Sequence, residues 1–201
     1  MKQTYRSATA FVLGWIWLAF VAFNAVDLIV RYSGKSSLVA AAVLGVLTAV
    51  VYVTALRPAT ILVEDGLRVR NPLRTTFLPW PAIDDVHVSH TISITHGDDV
   101  LRAWTPQASA RERAKAGRRG APRRQRGRFQ TEPVLSKGEQ AAQQAMAGRT
   151  HADWVAEQIT ERAESAKRRG AAPGQVRAVW APDALAACAA ALVLVVVAIL
   201  L

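Results

Sequence analysis

The sequence predicts a membrane protein of mixed α and β structure. It reads as an N-terminal transmembrane helical hairpin, a small antiparallel β unit, a closing helix and a final transmembrane helix. Three observations carry this. Residues 8–30, 38–56 and 184–201 form three apolar blocks holding a single charged side chain, Asp27, in a chain with 25 Lys and Arg and 15 Asp and Glu. Residues 59–104 instead alternate apolar and polar side chains between turn formers. Lastly, the only cysteine, Cys188, lies inside the third block, so no disulfide framework substitutes for a core. A globular core disperses its apolar residues at helical or strand periods, and blocks this long exclude an ordinary soluble protein.

The first block, residues 8–30, exceeds the roughly 30 Å hydrocarbon core at 1.5 Å per residue. Lys2 and Arg6 ahead of it resemble the basic region of a signal peptide. The apolar run is too long for one, and no Ala-x-Ala site appears near its end, so an uncleaved helix is expected. The second block follows after Arg31–Ser37, where Ser33, Gly34, Ser36 and Ser37 make a tight connection and hence an antiparallel hairpin. The third block, rich in Ala, Val and Leu, is long enough to span, at the short end of the usual range.

Basic residues set the expected orientation. Two precede the first block, two lie in the hairpin turn, and 21 of the 25 fall between Arg57 and Asp183. The positive-inside bias then places the N-terminus and the long segment in the cytoplasm and the C-terminus outside the cell membrane. Near the outer end of the first helix, Asp27 and Asn24 admit two readings. One is an interfacial polar end paired with Arg31; the other is a polar contact that packs the helices.

The segment 57–106 reads as a β domain. Ile61–Glu64 leads into Asp65-Gly66, a strong hairpin signal, and Leu67 and Val69 then alternate with Arg68 and Arg70. Asn71-Pro72 turns the chain again, and Pro79 and Pro81 flank Trp80 and forbid a central strand there. Further runs around Val86–Val88, His90–Thr95 and Val100–Trp104 bring the expected number to about five or six strands.

The hairpin of helices followed by Arg57-Pro58, Asp65-Gly66, Val69-Arg70-Asn71-Pro72-Leu73-Arg74, and Pro79-Trp80 before Ile83 and Val86 carries a resemblance. This stretch resembles actinobacterial membrane proteins with a bacterial pleckstrin-homology-like (PH) domain, of the low-molecular-weight protein antigen 6 type. The resemblance covers roughly residues 10–105. It implies a PH-like split barrel on the cytoplasmic side of the membrane and brings with it no catalytic residues.

A barrel of that kind ends in a closing amphipathic helix, for which residues 150–169 are the candidate. Thr150 reads as the N-cap with Asp153 three positions on, and Trp154, Val155 and Ile159 fall at helical spacing. Trp154 and Ile159, with Asn24 and Asp27 in the first span, are therefore the candidate helix-packing residues. Between the β domain and this helix lies a basic insert, 107–149, whose residues 111–128 include nine Lys or Arg and only Glu112 as an acid. With Gly117, Gly120, Pro122 and Gly127 it is expected to lack a core and to be disordered. Three readings compete for it: a solvated loop, adsorption onto the anionic inner leaflet, or nucleic-acid binding. The last is disfavoured, because nothing resembles a base-reading module.

The catalytic inventory is thin. His87, His90, His96 and His151 lack metal-ligand spacing, Asp84-Asp85 and Asp98-Asp99 sit beside turns, and no phosphate loop or nucleophile motif appears. No metal or cofactor is expected, and the protein reads as a non-enzyme. The expected function is binding or scaffolding at the inner leaflet. Arg68, Arg70 and Arg74 in and after one hairpin, with Arg118, Arg119, Arg123 and Arg124 in the insert, would face lipid headgroups or an acidic partner. The alternative is a structural subunit of a larger membrane complex.

Overall fold

A computed structural model describes residues 2–108, 110–120, 149–172 and 174–201. Three of its helices are long and apolar enough to cross a membrane: Ala8–Val30, Lys35–Leu56 and Pro182–Leu200. The first, α1 (Ala8–Val30), is capped by the Ser7 hydroxyl, which accepts from the Ala10 amide. Gly34, at φ 79°, turns the chain into α2 (Lys35–Val51), a backbone angle that other residues adopt with strain. The Ser33 amide donates to Ser37 Oγ at 2.9 Å and closes the turn. Helix α2 ends in a wider turn, Tyr52–Leu56, of π type.

The spans pack through small residues. Alanines 42, 49, 184, 191 and 198 are buried, and they lie on α2 and on the last helix, α5 (Pro182–Leu200). Gly45 leaves space that Leu194 Cδ1 occupies: a Cβ there would stand 2.5 Å from it. Helix α1 is tied to α2 by the Trp17 indole N–H, which donates to Thr48 Oγ1 at 3.2 Å.

Among the described residues the β unit contains eight strands in two antiparallel sheets. One sheet has the order β1-β2-β3-β4-β8: β1 (Gln3–Tyr5), β2 (Ala59–Leu62), β3 (Gly66–Arg70), β4 (Arg74–Pro79) and β8 (Arg177–Trp180). The other has the order β5-β6-β7: β5 (Asp85–Val88), β6 (Thr91–His96) and β7 (Asp99–Gln107). Helix α4 (His151–Arg168) closes the unit. Its buried stripe, Ala152, Val155, Ala156, Ile159, Ala163 and Ala166, packs into one core with Leu62, Leu67, Val69, Leu78, Ile92 and Ile94.

This is the expected fold class: two N-terminal apolar helices, antiparallel β structure, a closing helix and a final apolar helix. Its boundaries reach further than 57–106. Strand β1 precedes the first span and pairs with β2, Tyr5 opposite Thr60; β8 follows α4 and pairs with β4, Arg74 opposite Trp180. Within the 107–149 stretch expected to be without order, Ala110–Gly120 forms a helix, α3. Its start, ARERAKA, is made of strong helix formers, and that preference outweighs the run of like charge.

Candidate functional site

All three spans meet the β unit at the same end. Strand β1 leads into α1, α2 leads through Arg57-Pro58 into β2, and β8 leads through Ala181 into α5. The strand register places Tyr5, Ala59, Arg70, Arg74 and Trp180 together at that end. The rim they form, between sheet and spans, is the site with the most organised polar chemistry among the described residues.

Arg57 is its centre. Its side chain is 5% exposed, and such a charge persists only where its donors are met. Nε donates to Asp183 Oδ2 at 2.9 Å, Nη1 to the carbonyls of Asn71 and Pro72, and Nη2 to Thr75 Oγ1 at 2.9 Å. Asp183, in the first turn of α5, also accepts from the Tyr52 hydroxyl at 3.0 Å. One guanidinium thus joins the end of α2, the β3–β4 turn and the start of α5. The Ala181 amide donates to the Leu73 carbonyl at 2.9 Å and fixes the same turn to the same helix.

Asn71 then ties the two sheets together. Its Nδ2 donates to the Arg102 carbonyl at 2.9 Å, and its Oδ1 accepts from the Trp104 amide at 2.8 Å. The Trp104 indole in turn donates to the Thr54 carbonyl at 3.1 Å, inside the last turn of the second span. Trp104, Trp180 and Leu73 are all exposed around this rim, the placement expected of aromatic and apolar side chains at a membrane interface.

The arginines expected to form one surface divide between two. Arg70 is opposite Thr75 and Arg68 opposite Phe77, so these two share the outer face of the sheet. Phe77 is in turn opposite Arg177, which extends that face across β8. Arg74 alternates with Thr75 and points to the other side, where its guanidinium lies 4.5 Å above the Trp180 ring. The three-residue turn between the strands reverses the parity that simple spacing suggests. Arg68, Arg70, Arg74 and Arg177 make no ion pair with a carboxylate among the described residues.

Of the other expected positions, Arg118 and Arg119 lie at the end of α3, and Arg123 and Arg124 lie outside the described residues. Ile159 is fully buried under α4. Trp154 stands one position off the buried stripe and is 37% exposed, edge-on to Tyr5 at 5.7 Å and stacked on His151. Asn24 donates to the Phe20 carbonyl at 2.8 Å and Asp27 pairs with Arg31 at 3.1 Å, contacts internal to the first helix and its cap. Sequence reasoning used Arg57 for orientation and for the resemblance, read Asn71 only as a turn former within that resemblance, and gave Asp183, Arg177 and Trp180 no role in a site. The available signal was a lone charge at the same end of two apolar blocks, Arg57 after one and Asp183 before the other.

Asp84 is the described group outside the spans whose carboxyl titrates away from its ordinary value. It accepts from the Gly97 amide at 2.7 Å and from Lys167 Nζ at 3.4 Å, and both contacts hold it below the usual carboxylate range. No group of three or more His, Cys, Asp or Glu able to hold a metal ion occurs among the described residues.

A family model described as a bacterial PH domain matches residues 57–124. The match takes in β2 to β7 and α3, while β1, α4 and β8 lie beyond it. No curated protein and no solved structure matches the chain. A PH-like β unit joined to three apolar helices points to a membrane protein bearing a PH domain.

Proposed function

We propose that the chain is a non-enzymatic, multi-pass protein of the cell membrane, of the low-molecular-weight protein antigen 6 type. In this reading its PH-like unit faces the cytoplasm and serves binding or scaffolding at the inner leaflet. The observation that carries it is the buried Arg57 joint, which fixes one end of the β unit to two spans and so sets its outer face at a defined pose beside the bilayer. On that face Arg68, Arg70 and Arg177, free of described carboxylate partners, offer charge to lipid headgroups or to an acidic protein.

The test is photo-crosslinking in living cells from a reactive residue placed at Phe77, between Arg68 and Arg177. Adducts to anionic lipid or to one protein are expected, and they should weaken when Arg68, Arg70 and Arg177 are changed to Gln. Unchanged adducts after that triple substitution would sink the reading. A structural subunit of a larger complex is the second reading, favoured by β8, an edge strand exposed along its whole length. Here the same crosslinker moved to Val179 should capture a stoichiometric partner.

A further inference from the structure

The end of the β unit beside the spans satisfies its own backbone to a degree that a solvated loop does not need. In the β3–β4 turn the carbonyls of Asn71 and Pro72 accept from Arg57 Nη1, and that of Leu73 accepts from the Ala181 amide. The Asn71 amide donates to the Arg74 carbonyl, and Pro72 has no amide to satisfy. Nearby, β7 leaves the β6 ladder between Arg102 and Gln107, and side chains take the ladder's place. The Trp104 amide donates to Asn71 Oδ1, its carbonyl accepts from Gln107 Nε2 at 3.1 Å, and its indole donates to the Thr54 carbonyl. Water satisfies such groups in an exposed turn, whereas at membrane depth the protein has to do so itself.

The side chains at this end are apolar and exposed: Leu73, Trp104 and Trp180. Their depth is set by the spans. The second span, Lys35–Leu56, has 22 residues and is about 33 Å long at the helical rise, little more than the roughly 30 Å hydrocarbon core. Thr54, which holds the Trp104 indole, lies in its last turn, and Ala181, which holds the Leu73 carbonyl, immediately precedes α5. Leu73 and Trp104 are therefore level with the ends of two spans, where acyl chains give way to headgroups. Arg74 follows Leu73 and lies over the Trp180 ring, and a layer of indole with cation is the composition of that boundary.

We infer that the Pro72-Leu73 turn is a lipid-inserted tip. With Trp104 and Trp180 it enters the boundary between headgroups and acyl chains beside the spans, so the β unit is held by the bilayer surface as well as by its covalent links to the helices. This rests on the membrane placement proposed above. It also gives Arg57 a second task, supplying donors to the carbonyls of the turn where water does not.

The experiment uses the full chain in nanodiscs of phosphatidylethanolamine and phosphatidylglycerol. Cys188 is the only cysteine, so the environment-sensitive fluorophore NBD is attached in a Cys188→Ser background. One label replaces Leu73 through Leu73→Cys; the comparison is Asp65→Cys, in the β2–β3 turn at the opposite end of the sheet. The Leu73 label should emit to the blue of the Asp65 label and lose most of its emission to lipids carrying a doxyl quencher high on the acyl chain. It should also be several-fold less sensitive to aqueous iodide. Tryptophan melting curves that match the unlabelled chain establish that each variant is folded. A Leu73 label as open to iodide as the Asp65 label overturns the inference. So does one shielded from both iodide and the lipid quencher, because protein then covers the tip. Alkaline carbonate extraction separates the two failures: a chain released from membranes defeats the placement itself, whereas a retained chain with a water-exposed Leu73 label defeats only the inserted tip.

Discussion

Arg57 and Asp183 are 126 positions apart in sequence, yet Nε of one lies 2.9 Å from Oδ2 of the other, joining the exit of the second span to the entry of the third. The pair is asymmetric, with side chains 5% and 46% exposed. Removing Asp183 therefore leaves a buried cation short of its counter-charge, whereas removing Arg57 leaves a carboxylate that water can reach together with two carbonyls and a hydroxyl that lose their donor. Asp183→Ala is expected to lower stability by about 3 kcal/mol, the lower end for breaking a buried pair, because Arg57 keeps its carbonyl and Thr75 partners. Arg57→Met should cost at least as much, because it also leaves the Asn71 and Pro72 carbonyls and Thr75 Oγ1 without their donor, and the double variant should fall short of the sum by about 1–3 kcal/mol. Tryptophan-monitored unfolding in mild detergent measures all three.

Asn71 holds the two sheets together with one donor and one acceptor. Asn71→Ala leaves the Arg102 carbonyl and the Trp104 amide without those partners, and because both are within reach of water the cost is about 0.5–1.5 kcal/mol. Asn71→Asp keeps the acceptor and loses the donor, so it should cost less. Amide exchange at Trp104 distinguishes them: fast in the Ala variant, protected in the Asp variant.

The Asp84 carboxylate predicts a pH dependence. Its folded value lies below the unfolded one, so the folded state binds fewer protons in that range. The stabilisation is complete above the unfolded value, about 3.9, and is lost as pH falls through the folded value. Melting temperatures of wild type and Asp84→Asn should therefore differ at pH 7 and converge in acid. Lys167→Met should reduce the depression without abolishing it, because the Gly97 amide is the larger cause. Carboxyl NMR titration of Asp84 reads both effects.

What was legible in the sequence tracks how local its cause is. The spans follow from blocks of apolar residues, and the cap at Thr150 from a four-residue pattern. There the hydroxyl accepts from the Asp153 amide while the Asp153 carboxylate accepts from the Thr150 amide. Strands β1 and β8 escaped because three and four residues are too few for a period, and each is a strand only because β2 or β4 offers an open edge. The Arg57 joint escaped for a related reason: its partners come from the β3–β4 turn and from a helix 126 positions away, and no spacing rule connects them. Arg74 was misplaced by counting along one strand, where register across two decided its face.

Helix α4 offers the sharpest comparison between period and position. Trp154 and Ile159 both fall at helical spacing, but five residues at 100° each separate them by more than a quarter turn. Ile159 is fully buried with Val155 and Ala163, whereas Trp154 is 37% exposed and its contacts are Tyr5 and His151. Ile159→Ala opens a cavity in the core and is expected to cost about 2–5 kcal/mol. Trp154→Ala removes a larger side chain yet loses mainly an edge-on aromatic contact, worth about 0.5–1.5 kcal/mol beyond its area. The smaller residue should thus give the larger fall in melting temperature. If Trp154→Ala were the more damaging, the helix would have to be rotated so that its aromatic residue faced the core, and Tyr5 of β1 would lose Trp154 as its edge-on ring partner.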